Sequence, residues 1–258
     1  MKKNQHSNLE LVYIHLNERD QYVITSGFEF NEFTYALSDS LSNILLIKHR
    51  YEDGDFNSDT QLEYVQADRL GKLITSDVSS YQDFCWIDFE DVENLNFLTG
   101  QELAEILYLG HKKHHLRPPF YNQLENRYVY LASEDGWYNK TYYRNLNHFY
   151  TMAGSALSAK MSVLKPEKSL LGVKKKRTYP AINKDLIKSL IPFMREGAVF
   201  SFQNTGLVRN KPEIPIWTIG DFADMDEMRE EFKHIGKQRW DSRLIYDKKT
   251  REWEISAE

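Results

Sequence analysis

The first ninety residues hold short, apolar, β-rich runs separated by polar and Gly- or Asn-bearing breaks. Leu9–Leu16, Tyr22–Thr25, Phe33–Leu37 and Ile44–His49 read as strands, as do Leu62–Val65, Lys72–Thr75 and Phe84–Phe89. The connections between most of them are only a few residues long, which favours antiparallel neighbours, since a parallel return needs a crossover of a dozen or more residues. The segment Arg50–Thr60 reads as a polar loop. The pattern predicts an antiparallel meander of six or seven strands.

Beyond residue 95 the period changes. Thr99-Gly-Gln-Glu102 matches a capping box, and Leu103, Ile106 and Leu107 then form one inward stripe. A second helix is expected from Asn145, with Leu146, Phe149, Tyr150, Ala153, Leu157, Met161 and Leu164 on one side. Gly154, Ser155, Ala156, Ser158 and Ala159 form a flank small enough for another element to approach closely. A third begins at Asn183, is kinked by Pro192 and ends at Gly197. Strands at Val199–Phe202, Ile214–Ile219, Arg243–Tyr246 and Trp253–Ile255, with a short helix at Asp224–His234, complete the reading. The fold class is α+β: an N-terminal antiparallel β meander followed by a mixed helix and hairpin region. Two regions are expected, 1–95 (β-rich, acidic) and 96–258 (mixed, with a basic middle), which can also form one continuous domain. No repeat of fixed period is evident.

One short segment fixes its own pairing. In Arg127–Arg144, Asp135-Gly136 is a favoured two-residue hairpin turn, so paired residue numbers sum to 271. Tyr128 then faces Tyr143, and Leu131 faces Lys140. One face gathers Tyr128, Tyr130, Trp137 and Tyr143 as core; the other carries Arg127, Lys140, Tyr142 and Arg144 toward solvent or a ligand.

Composition narrows the class. The chain has 258 residues, 41% apolar and 28% charged, with one cysteine. Its mean hydropathy is -0.61 and no apolar run approaches a membrane span. With no evident export signal and a lone Cys85, a soluble cytoplasmic protein is expected, with no membrane contact. Charge is segregated: residues 51–110 hold 14 acidic and 2 basic side chains, and residues 111–180 hold 4 and 13. Either these segments neutralise each other or each simply shows a solvated charged face, or the basic one meets an external anion.

Recognisable catalytic signatures are missing: no dinucleotide fingerprint, P-loop, Gly-x-Ser-x-Gly or His-Glu-x-x-His occurs. No cofactor, no metal and no catalytic residue is assigned, and the balance leans away from an enzyme. The leading expectation is a binding or regulatory protein working through protein–protein contacts. The alternative is an enzyme or sensor for a phosphate-bearing small molecule, seated on Arg117, Arg127, Lys140, Tyr142 and Arg144. Gly110–Phe120 is expected to end the first helix with basic residues near its carbonyls, to touch an anion, or to hold a metal through His111 and His115. Asp88 and Glu90 share a strand face and read as a solvated strand end, or as ligands for a hard cation. The run Lys160–Arg177 reads as a solvated linker, with nucleic-acid binding as a further role that the chain's net charge of -5 argues against.

Overall fold

The computed structural model describes residues 10–37, 41–47, 51–75, 83–109, 116, 120–133, 138–164, 167–168, 174–175, 178–203, 207–208, 211–222 and 224–257. The class is mixed α+β, with antiparallel strand pairing throughout the described sheets. Two compact units divide the chain. One comprises 1–16, 25–28 and 149–258; the other comprises 17–24 and 29–148. Strands β1 (Leu11–Asn17) and β2 (Tyr22–Ser26) contribute to both.

The 17–148 unit is built on β3 (Asn43–Ile47), β4 (Asp55–Asn57), β5 (Leu62–Val65), β6 (Phe84–Phe89), β7 (Tyr128–Ser133) and β8 (Tyr138–Tyr143). Their order, starting from β2, is β2-β8-β7-β6-β3-β5-β4, so β6 returns beside β3 and not beside β5. Two expected strands are helices. Phe33–Leu37 belongs to α1 (Phe30–Ala36), where the Glu29 amide donates to Glu32 Oε2 at 3.0 Å. Phe30, Phe33, Thr34 and Leu37 are buried at offsets 0, 3, 4 and 7, a helical stripe that begins before the expected strand. Lys72–Thr75 lies in α2 (Leu70–Thr75), which buries Leu70 and Leu73. The expected loop at 50–60 contains β4, paired with β5. Rings from α1 meet the sheet: Phe30 stands 4.1 Å from Trp86 and 5.2 Å from Tyr130, edge to face, the geometry that aromatic quadrupoles favour.

The Thr99 capping box is present and opens α3 (Gly100–Tyr108). Its stripe is rotated from the expected one: Ile106 and Leu109 are buried, whereas Leu107 is 52% exposed.

In the other unit the sheet runs β1-β11-β13-β14-β15, with β11 at Ala198–Ser201, β13 at Lys211–Thr218, β14 at Ser242–Asp247 and β15 at Glu252–Ala257. Strand β12 (Leu207–Val208) pairs with β13, and β9 (Glu167–Lys168) pairs with β10 (Lys174–Lys175). Helix α4 (Leu146–Leu164) passes close to residue 182: the Ile182 amide donates to the Gly154 carbonyl at 3.1 Å. A Cβ on Gly154 would stand 2.2 Å from the Ile182 carbonyl oxygen, so the small flank serves a close approach. Asn183 caps α5 (Lys184–Ser189), accepting from the Asp185 amide at 2.8 Å. Pro192 starts a separate helix, α6 (Ile191–Arg195), and Gly197 follows with φ +81°. Asp224 caps α7 (Met225–Ile235).

Three strand connections share one device. Asn17, Asn57 and Asp247 each end a strand, four residues follow, and the last of these (Gln21, Gln61, Arg251) is left-handed, with φ of 51°, 60° and 62°. In each, the first side chain accepts amide protons within the turn: Asp20 to Asn17 at 2.9 Å, Thr60 to Asn57 at 2.9 Å, Lys249 to Asp247 at 2.7 Å. The device recurs without a fixed spacing, so it does not register as a sequence repeat. Left-handed backbone at a residue with a Cβ costs roughly 1–2 kcal/mol. Gln61→Gly should therefore raise stability by about 1 kcal/mol, and Asn57→Ala should lower it by about as much, both read from urea midpoints. A lower midpoint for the glycine variant would show that the turn is unstrained.

Candidate functional site

The hairpin pairs as its turn dipeptide predicts, Tyr128 with Tyr143, Val129 with Tyr142 and Leu131 with Lys140; residues 134–137, including the Asp135-Gly136 turn, lie outside the described residues. Tyr128, Tyr130 and Tyr143 are core, as their shared face implies. The opposite face is not simply solvent: Tyr142 is 2% exposed and packs edge-on against Tyr22 and Phe120. Lys140 Nζ lies 4.1 Å from the Tyr22 ring centre and 5.2 Å from that of Tyr142, a cation over two aromatic faces.

Arg127 is the best-engaged residue of the expected anion seat. Its Nε donates to Asp88 Oδ2 at 3.0 Å, and a terminal nitrogen lies 2.9 Å from Glu90 Oε1. Asp88 Oδ1 also accepts the amides of Arg127 and Tyr128, at 2.9 and 2.8 Å. Asp88 is therefore wholly buried with its acceptors occupied, and its reading as a solvated strand end is corrected. Strand β6 carries it inward because Phe84, Trp86 and Asp88 alternate along one face, a pattern that hides one carboxylate among rings. Glu90, just past the strand, accepts from Ser42 Oγ at 2.9 Å, while its carbonyl accepts from Asn43 at 2.8 Å.

The cluster joins strand ends more readily than it offers a vacant charge. The Arg144 amide donates to the Arg127 carbonyl at 2.7 Å, extending the β7–β8 ladder by one pair. Lys140 and Arg144 are four residues apart, about 13 Å along the extended chain. Arg117, with His111 and His115, lies outside the described residues. Among the described residues no group of three or more His, Cys, Asp or Glu is placed to hold a metal ion.

The basic run is not a plain solvated linker either. Lys160 sits in α4 at 3% exposure, and residues 167–168 and 174–175 are paired strands. No helix among the described residues is long and apolar enough to cross a membrane. No family model matches the chain, and neither do any curated proteins or solved structures.

Electrostatically, burial raises the Asp88 carboxyl from 3.8 to about 6, against the lowering pull of the Tyr128 amide and the Arg127 charge. Burial, then the Arg127 charge, lowers the His148 imidazole below its ordinary value. A carboxyl with a raised folded-state pKa binds its proton more tightly when folded. Its stabilisation is complete below pH 3.8 and disappears as pH rises through 6, a change of up to about 3 kcal/mol. Asp88→Asn should remove this component, so the stability difference between variant and parent should shift in the variant's favour between pH 4 and 6.5. A pH-independent difference would show that Asp88 titrates normally.

Proposed function

We propose that the chain is a binding or regulatory protein acting through protein–protein contacts, with no catalytic role and no cofactor. The supporting observation is the outward face of α3. Its inward side is satisfied by Ile106 and Leu109, yet the exposed side carries Ala104, Leu107 and Tyr108, the last at 60% exposure. Phe97, just before the helix, is 64% exposed. Adjacent large apolar groups left in water mark an interaction surface more often than isolated ones do. Asp91, Glu93, Glu102 and Glu105 lie in the same stretch, within the segment of 14 acidic and 2 basic residues. Such a surface suits a partner presenting apolar groups among basic ones, with the carboxylates speeding encounter. A cytoplasmic setting without membrane contact belongs to the same proposal.

The phosphate-ligand reading loses its central cation, because the Arg127 guanidinium is matched by Asp88 and Glu90. Nucleic-acid binding through 160–177 loses Lys160 to the interior.

A photoreactive amino acid at position 104, activated in cells at physiological salt, tests the surface. One discrete adduct should form, and Leu107→Ser with Tyr108→Ser should reduce it at least tenfold without altering the melting temperature of the chain. An adduct equally strong in that double variant, or no adduct, would contradict the proposal.

A further inference from the structure

A cleft of about 480 Å³ lies in the 149–258 unit, between α5 and the start of β15. That volume suits a small molecule or a few residues of peptide. Pro180, Leu186 and Trp253 form its apolar lining, and Asp185, Arg251 and Glu252 its charged lining. The indole is held in place: Trp253 Nε1 donates to the Pro180 carbonyl at 2.9 Å, and the ring lies 5.3 Å from Tyr246 and 5.9 Å from Tyr179. Nothing in the α3 surface bears on this feature, which belongs to the other unit.

Two observations identify an occupant. Arg251, Glu252 and Trp253, at the start of β15, all line the cleft. Among the described residues β15 pairs only with β14, so the strand that lines the cleft is the terminal edge of its sheet. Charge supplies the second observation. The lining carries two carboxylates against one guanidinium, beside an aromatic ring. Asp185 has Lys188 at 3.7 Å, an exposed pair worth at most about 1 kcal/mol.

We propose that an extended peptide with a basic side chain adds to the outer edge of β15 and places that side chain in the cleft, between Asp185 and Glu252 and against Trp253. Main-chain hydrogen bonds to the edge supply affinity, and the cleft selects the cation. Arg251, with its five N–H donors, faces peptide carbonyls. Its left-handed backbone is the turn device shared with Gln21 and Gln61, so strain at Arg251 is no part of the case.

The probe is acetyl-Thr-Val-Arg-Val-Thr-Val-amide, titrated calorimetrically into the full chain. It should bind saturably, at least tenfold more tightly than the peptide with Glu in place of Arg, and Glu252→Lys should cost at least tenfold. Both Glu252 and Asp185 are exposed, so Glu252→Lys and Asp185→Asn leave the core untouched. Strand addition has its own signature: N-methylation of alternate residues should abolish binding in one register and spare it in the other. No saturable binding overturns the proposal, as does equal binding of the Glu peptide or equal loss in both N-methyl registers. Arginine amide binding as tightly as the hexapeptide overturns it too, since the edge would then contribute nothing. The double variant Leu107→Ser, Tyr108→Ser should bind the probe unchanged, which separates this result from the fate of the α3 surface.

Discussion

A carboxylate taken fully out of water is tolerated only when its charge is met by donors, and Asp88 organises its surroundings around that demand. Two backbone amides and one guanidinium converge on it from β7 and the residue before it. Arg127 is thereby held at the sheet end, where it also reaches Glu90, and Glu90 in turn engages Ser42. The pair ties the acidic stretch to the basic stretch that follows it in sequence. At this point a charge of the basic stretch is met by carboxylates of the acidic one.

The elements most legible in the sequence were those set by local chemistry. The β7–β8 register is the one that the Asp135-Gly136 dipeptide predicts, although the dipeptide itself lies outside the described residues. Thr99 with Glu102, Asn183, Asp224 and the Gly154 flank did what their side chains allow at helix ends and close approaches. What was missed depends on tertiary context. Phe33–Leu37 reads as a short β-rich run, but Phe30 and Phe33 pack on Phe84 and Tyr128 of β6 and β7 from a helix, and tertiary packing there outweighs a short local pattern. On α3, Ile106 is inward as its spacing implies, but Leu109 and not Leu107 joins it there.

The site residues show the same division. The faces of Arg127, Lys140, Tyr142 and Arg144 followed from strand alternation, but the partner of Arg127 did not, because Asp88 is 39 residues away in sequence. Its signal was present as a carboxylate on the face shared by Phe84 and Trp86, where a charge is affordable only if paired. With that cation engaged, the surfaces proposed to meet other molecules, among the described residues, are the outward side of α3 and the cleft beside β15.

The internal pairing of Asp88 with Arg127 is tested most directly by a double-mutant cycle. Asp88→Asn, Arg127→Gln and the double variant would be compared with the parent by urea unfolding at neutral pH. The account predicts that the two single losses are strongly non-additive, with a coupling energy of about 2 kcal/mol. Additivity to within about 0.3 kcal/mol would contradict it, and would return Arg127 to the pool of cations available to a ligand.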